Sequence, residues 1–189
     1  MEIITLYRDG DVYIAPGTPP LKQYLVSSAV LSNASPVFQA MFSNHFEEGQ
    51  QLSTAAPKPV SLPEDDPRSV EILLYVMHYH PAAKDMETEE GAAFAQLCDK
   101  YGCVESMGSY MNSWLAATWE KYRYEFDEEC KLCATAWYFG DAESFRSISS
   151  RLVLEHEDSF FKVASEGLYN VPIKLLCKDK VFDIDKAPR

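Results

Sequence analysis

Basic residues are in short supply. Seventeen Lys and Arg stand against 29 Asp and Glu in 189 residues, a formal charge of −12 at pH 7, and no basic block sets up a field that would draw phosphate. Direct nucleic-acid binding is therefore not expected. The most basic stretch, Lys174 to Arg189, is broken by Asp179, Asp183 and Asp185 and reads as a solvated end. Long apolar runs are missing too: none approaches the roughly 18–20 residues of a membrane span. The opening MEIITLYRDGD lacks the basic segment, apolar stretch and small-residue site of a secretory signal. Cysteine is sparse, and its odd count of five is unlike a stapled secreted scaffold and fits free thiols in a reducing compartment. The expectation is an intracellular chain, cytoplasmic and/or nuclear, with no membrane partner. Gly-x-Ser-x-Gly, a phosphate-binding glycine loop and His-Glu-x-x-His are all absent, so neither catalysis nor a cofactor is expected.

What is plentiful is core material: 47% of residues are hydrophobic and 13% aromatic, enough for a globular fold. Ile3-Ile4-Thr5-Leu6-Tyr7 and Val12-Tyr13-Ile14, separated by Arg8-Asp9-Gly10-Asp11, predict a hairpin whose tight turn draws positive φ angles from Asp9-Gly10. Tyr24-Leu25-Val26 predicts a third strand, and Ser27 or Ser28 can cap a short helix over Ala29-Val30-Leu31. Ser35-Pro36 combines a capping hydroxyl with proline at the first helical position, and Val37, Phe38, Met41 and Phe42 make the buried stripe of that helix. After a loop from Gly49 to Pro57, Val60-Ser61-Leu62 gives another strand.

Asp66-Pro67 repeats the cap-and-proline start. Val70, Leu73, Leu74 and Met77 follow at helical spacing until Pro81 ends the run. A helix capped by Thr88 carries Phe94, Leu97, Cys98 and Tyr101 and stops at Gly102. Beyond Val104 only helices are indicated: one with Met107, Tyr110, Met111, Trp114, Leu115 and Trp119, one capped by Asp127, one capped by Asp141, and weaker segments around Phe160-Phe161 and Pro172. The fold class is α+β, a short three- to four-stranded sheet with a cluster of helices followed by an all-helical extension.

The stretches Gly10 to Ile14, Tyr24 to Phe42 and Val60 to Pro67 with its helix, taken in this order, resemble a BTB/POZ domain over roughly residues 3–104. Leu25-Val26-Ser27-Ser28-Ala29-Val30-Leu31 is similar to the wording of many filamentous-fungal members, where animal forms usually carry His-Lys in place of Ser27-Ser28. The domain plan is thus a BTB/POZ core at 1–104 and a helical extension at 105–189 packed on it. The resemblance implies a non-catalytic interaction module: either a substrate adaptor for a cullin-3 ubiquitin ligase, or a self-associating scaffold or co-regulator-recruiting protein that binds no cullin. Adaptors of the family carry a hydrophobic-x-Glu motif after the second helix, and Phe46-Glu47-Glu48 falls there. The implied partner surface is Met41, Phe42, Phe46, Glu47 and Glu48, with Phe46 filling an apolar pocket. The blander alternative has Phe46 closing the helix end against the core. Many dimeric members swap a helix that precedes the first strand, whereas this sequence reaches its first strand almost at once, which points to a shorter form or to a dimer through another surface.

Two clusters invite metal or redox chemistry. Cys130-x-x-Cys133 follows Asp127-Glu128-Glu129, whose charges raise rather than lower thiol pKa values. His78-x-His80 with Cys98 and Cys103 matches no structural-zinc spacing. Neither is expected to bind a metal. The Glu64-Asp65-Asp66 run is expected to serve as a turn and helix cap.

Overall fold

The computed structural model describes residues 1–81, 86–122 and 125–155. The two helical segments expected around Phe160 and Pro172 lie outside them. In chain order the elements are β1 (Glu2–Thr5), β2 (Val12–Pro16), β3 (Lys22–Val26), α1 (Ser28–Ala34), α2 (Pro36–Met41), β4 (Lys58–Leu62), α3 (Pro67–Met77), α4 (Thr88–Lys100), α5 (Val104–Lys121), α6 (Phe126–Tyr138) and α7 (Ala142–Glu155). The architecture is α+β: a small mixed sheet followed by helices.

The four-stranded sheet runs β1-β3-β2-β4. β2 and β3 are antiparallel, while β1 joins β3 and β4 joins β2 in parallel. The hairpin expected between the first two strands is therefore not formed, because β3 lies between them. Gly10 shows why. It is buried, and a Cβ there would sit 2.7 Å from both Leu25 Cγ and Val26 O, so the absent side chain lets the turn close over the end of β3. Asp11 then donates its amide to Val26 O at 3.1 Å as the chain passes to the far side of that strand. Gly10 needs no positive φ; the glycines that adopt one are Gly17, Gly102 and Gly140.

Contacts divide the chain into two compact units, Met1–Asp85 with Leu97–Met107, and Met86–Gln96 with the residues from Gly108 onward; the division runs through α4 and α5. The first unit is built round fully buried Val12, Ile14, Tyr24, Val26, Leu31, Phe38, Leu73 and Leu74. Its helix starts follow the expected chemistry: Ser27, Ser35 and Asp66 accept the amides of Val30, Phe38 and Ser69. Val37 is exposed and Met41 only half-buried, which leaves Phe38 and Phe42 as the buried stripe of α2. α3 ends at Met77, before Pro81, with Tyr79 at φ 53°. His80 N–H donates to Tyr75 O at 2.8 Å and Tyr79 N–H to Val76 O at 3.1 Å, the paired closure that usually places glycine where Tyr79 stands.

Glu71 ties α3 to the sheet. Its Oε1 accepts from Lys22 Nζ and the Tyr24 hydroxyl at 2.8 Å and from the Tyr75 hydroxyl at 3.3 Å, and its Oε2 accepts from Arg68 at 2.9 Å. Burial alone would raise this carboxyl's pKa, but the donors from Lys22, Tyr24 and Arg68 outweigh it and hold the group below its ordinary value. Asp65, also buried, accepts from Lys100 Nζ and the Tyr101 hydroxyl at 2.6 Å each. Ser35 adds a hydroxyl bond of 2.6 Å to Tyr101 O, so the turn after α4 is held at both its side chain and its main chain.

In the second unit Phe94, Met111, Leu115, Leu132, Ile148 and Leu152 form the core. Gly91 admits Trp114, whose Cη2 would lie 2.2 Å from a Cβ at that position, and Trp114 Nε1 donates to Met86 O at 3.0 Å. Thr88 and Asp127 do not cap their helices. Thr88 is the first residue of α4 and gives its hydroxyl to Glu128; Asp127 lies in the first turn of α6, with Glu125 at the cap position. Asp141 does cap α7, accepting Ser144 N–H at 3.0 Å. Glu129 is fully buried and pairs with Arg151, whose Nε donates to Oε2 at 3.2 Å and whose Nη2 donates to Oε1.

Removing Arg151 strips the buried Glu129 carboxylate of this two-point pairing. Arg151→Ala is expected to lower unfolding free energy by about 3–5 kcal/mol, while the apolar double replacement Glu129→Met with Arg151→Leu recovers most of the loss. Urea unfolding of the three proteins tests this, and an Arg151→Ala midpoint equal to that of the parent would contradict it.

Candidate partner-binding site

α2 ends in aromatic packing. Phe42 is 9% exposed and donates its amide to Phe38 O at 2.9 Å. Its ring stacks on Phe38 at 5.9 Å, and Phe38 stacks in turn on Tyr101 at 4.5 Å. Phe42 thus belongs to the core and closes the helix end itself, the task the blander reading gave to Phe46.

The chain then winds through successive tight turns. Ser43 N–H donates to Ala40 O, Phe46 to Ser43 O, Gly49 to Phe46 O and Gln50 to Glu47 O, at 3.0–3.2 Å. The last of these turns is a single 3-10 turn, Glu47–Gly49. Gly49 is buried so tightly that a Cβ would fall 2.1 Å from Ser43 O and 2.5 Å from Phe42 O, and Lys58 Nζ donates to Glu47 O. The backbone is therefore anchored on both flanks of Phe46, whose side chain is 52% exposed. Glu47 is exposed, while Met41 and Glu48 are half-buried. Of the five expected residues, four reach the surface and Phe42 supports them from within.

The other sequence candidates are engaged in holding the fold. Among the described residues no group of three or more His, Cys, Asp or Glu is placed to hold a metal ion. Burial, reinforced by Asp127 and Glu129, pushes the Cys130 thiol up to about 12, and Cys133 is raised further by burial; both are thereby kept from the reactive thiolate form. The three consecutive acids diverge: Glu64 is exposed, Asp65 is paired inside, and Asp66 caps α3. His78 Nδ1 lies 2.9 Å from Leu74 O, and Nε2 accepts Ser27 N–H at 3.2 Å, an arrangement that needs the neutral ring. His80 stacks on Tyr75 at 4.7 Å.

Three features escaped sequence reasoning. Asp11 accepts Ser28 N–H at 2.8 Å and the Ser28 hydroxyl at 2.5 Å, so it braces the start of α1 from a loop seventeen residues upstream. A cleft of about 680 Å³ opens beside Glu71, with Pro16, Pro19, Lys22, Tyr24 and Arg68 on its walls. Tyr79, 94% exposed, occupies a backbone conformation that usually calls for glycine. Only the last leaves a trace in the sequence, through the absence of glycine between α3 and Pro81.

The BTB/POZ domain family model matches residues 7–113, more than half of the chain. The chain belongs to the BTB/POZ family. BTB/POZ domains are protein–protein interaction modules. A comparison with curated proteins found no match. No helix among the described residues is long and apolar enough to cross a membrane.

Burial lowers the His78 pKa, against a smaller opposing effect of the bond to Leu74. Folded His78 therefore stays neutral where the unfolded residue, with a pKa of about 6.5, takes up a proton. Its contribution to stability is complete above that pH and is lost as pH falls from about 6.5 through the lower folded value. The pH dependence of unfolding free energy between about 7 and 5 should flatten in His78→Gln; an unchanged slope would refute the assignment. At the same helix end, Tyr79→Gly should stabilise by about 1 kcal/mol by relieving the left-handed backbone, which thermal melts would register.

Proposed function

We propose that this BTB/POZ protein is a substrate adaptor for a cullin-3-type ubiquitin ligase, docking the cullin through the turn that carries Phe46. The observation that supports the reading is the exposure of Phe46 on a backbone fixed by buried Gly49 and by the Lys58–Glu47 contact. An aromatic anchor already held in place loses little freedom on insertion into an apolar pocket, so more of its burial energy appears as affinity. Glu47 and Glu48 supply the polar rim, and Met41 extends the apolar contact. In this reading the core at 1–104 engages the cullin and the helical extension at 105–189 holds the substrate.

Calorimetric titration of the full chain with the amino-terminal domain of its own organism's cullin-3 tests the proposal. Binding at micromolar affinity or tighter is expected, with Phe46→Ala weakening it by about 30-fold or more, as for a central interface residue, and Glu48→Ala weakening it less. Circular dichroism should show both variants folded, since Phe46 lies outside the core. Absence of binding by folded parent protein would reject the adaptor reading in favour of a self-associating or co-regulator-recruiting scaffold.

A further inference from the structure

α3 and α4 are closed at their carboxyl ends in the same way. After α4, Gly102 adopts φ 62°, its N–H donates to Asp99 O at 3.0 Å, and Cys103 N–H donates to Cys98 O at 2.9 Å. This paired closure brings the side chain of the residue giving the first carbonyl against that of the residue giving the last amide. The end of α3 shows the effect in this chain, since with the same pair of bonds the rings of Tyr75 and His80 stack at 4.7 Å. At α4 the two side chains so placed are thiols. Cys98 and Cys103 are both fully buried and free, Cys103 Sγ lies 3.5 Å from Cys98 O, and the two thiols share a hydrogen bond. That contact makes them unequal. Burial pushes the Cys98 thiol up, while the hydrogen bond from Cys98, helped by one from its own main chain, holds Cys103 below its ordinary value. A cysteine that ionises readily beside a second thiol is the pairing of a redox-sensitive sulfur with its resolving partner. Cys130 and Cys133 lack it, because both are pushed up.

We propose that Cys98 and Cys103 form a reversible disulfide across the turn between α4 and α5 when the protein meets a hydroperoxide. This goes beyond the cullin reading and does not depend on it. The Cys103 thiolate attacks the O–O bond of the peroxide. An S–O bond forms, the O–O bond breaks, and the departing oxygen takes up the proton that Cys103 released, leaving as an alcohol, or as water from hydrogen peroxide. The Cys98 sulfur then attacks the sulfenic sulfur of Cys103. The S–S bond forms, the S–O bond breaks, and the sulfenic oxygen leaves as water with the Cys98 proton. Two electrons pass from the thiols to the peroxide, and a dithiol reductant returns them by exchange. Neither thiol has exposed surface, so the reaction waits on local opening of the turn. The loop closed by the bond contains Tyr101, whose ring stacks on Phe38 at 4.5 Å, whose hydroxyl donates to Asp65 and whose carbonyl accepts from Ser35. Oxidation therefore fastens the turn on which the start of α2 rests.

Peptide mapping of the full chain after treatment with hydrogen peroxide, with remaining thiols blocked in denaturant, provides the test. Trypsin cuts after Lys100, between the two cysteines, so the disulfide keeps the Cys98 and Cys103 peptides joined until a reductant parts them. In folded protein this linkage should form in preference to any that involves Cys130, Cys133 or Cys177. Urea-unfolded protein should lose the preference, because Cys130 and Cys133 are nearer in sequence than Cys98 and Cys103. The roles have their own readout. Cys98→Ser should strand the sulfenic acid at Cys103, where dimedone traps it, and Cys103→Ser should leave Cys98 unlabelled. Circular dichroism checks that both variants fold, and the mapping of the parent stands without them. Peptides that stay separate after peroxide treatment, a Cys130–Cys133 linkage formed as readily in folded protein, or dimedone capture at Cys98 instead of Cys103 would each overturn the proposal. None of these outcomes bears on cullin binding, which the titration with Phe46→Ala reads separately.

Discussion

Glu71 is the point on which the first unit turns. Its single carboxylate, nearly removed from water, receives two donors from β3, Lys22 and Tyr24, and two from α3 itself, Arg68 and Tyr75. A carboxylate buried without partners would either take a proton or unfold its surroundings, since isolated charge is excluded from low-dielectric regions. The four donors remove that penalty and, because they come from two elements, fix the height and rotation of α3 over the sheet. Asp65 and Tyr101 do the same for the turn after α4, and that turn carries the ring on which Phe38 stacks. Phe38 in turn supports Phe42, and Phe42 supports the turns that present Phe46. The exposed aromatic at the proposed docking surface is thus reached from buried Asp65 by way of Tyr101, Phe38, Phe42 and Gly49.

The same distribution puts the other acids of the first unit to structural work. Asp11, Asp65, Asp66 and Glu71 all accept hydrogen bonds that brace a helix start or a helix packing. The Cys130 and Cys133 thiols are pushed away from the thiolate form, and His78 is neutral between two main-chain groups. The exposed apolar groups of the first unit fall in few places: the α2 face and turn with Val37 and Phe46, the surroundings of β1 with Met1, Ile3, Tyr7 and Leu21, and Tyr79 beyond α3.

Much of this was legible in the sequence because the signals were local. Ser35-Pro36 and Asp66-Pro67 fix helix starts through a hydroxyl or carboxylate and a preset φ, with no help from distant residues; both were found where expected. Phe46-Glu47-Glu48 could be placed after α2 for the same reason. The failures were non-local. Asp9-Gly10 looks like a hairpin turn, yet Gly10 is required by the approach of Leu25 and Val26, which no window of ten residues contains. Val37 follows the helical period but lies on a face that nothing in the described structure covers. Thr88 has the right chemistry for a cap and was taken instead by Glu128, forty residues away.

Strand order is the other non-local outcome. The close approach at Gly10 carries the chain past the end of β3, which is thereby inserted between β1 and β2, and the parallel pairing of β1 with β3 and of β4 with β2 follows. A local reading of two adjacent β-prone segments favours a hairpin; only the packing of residues about fifteen positions apart in the sequence decides against it.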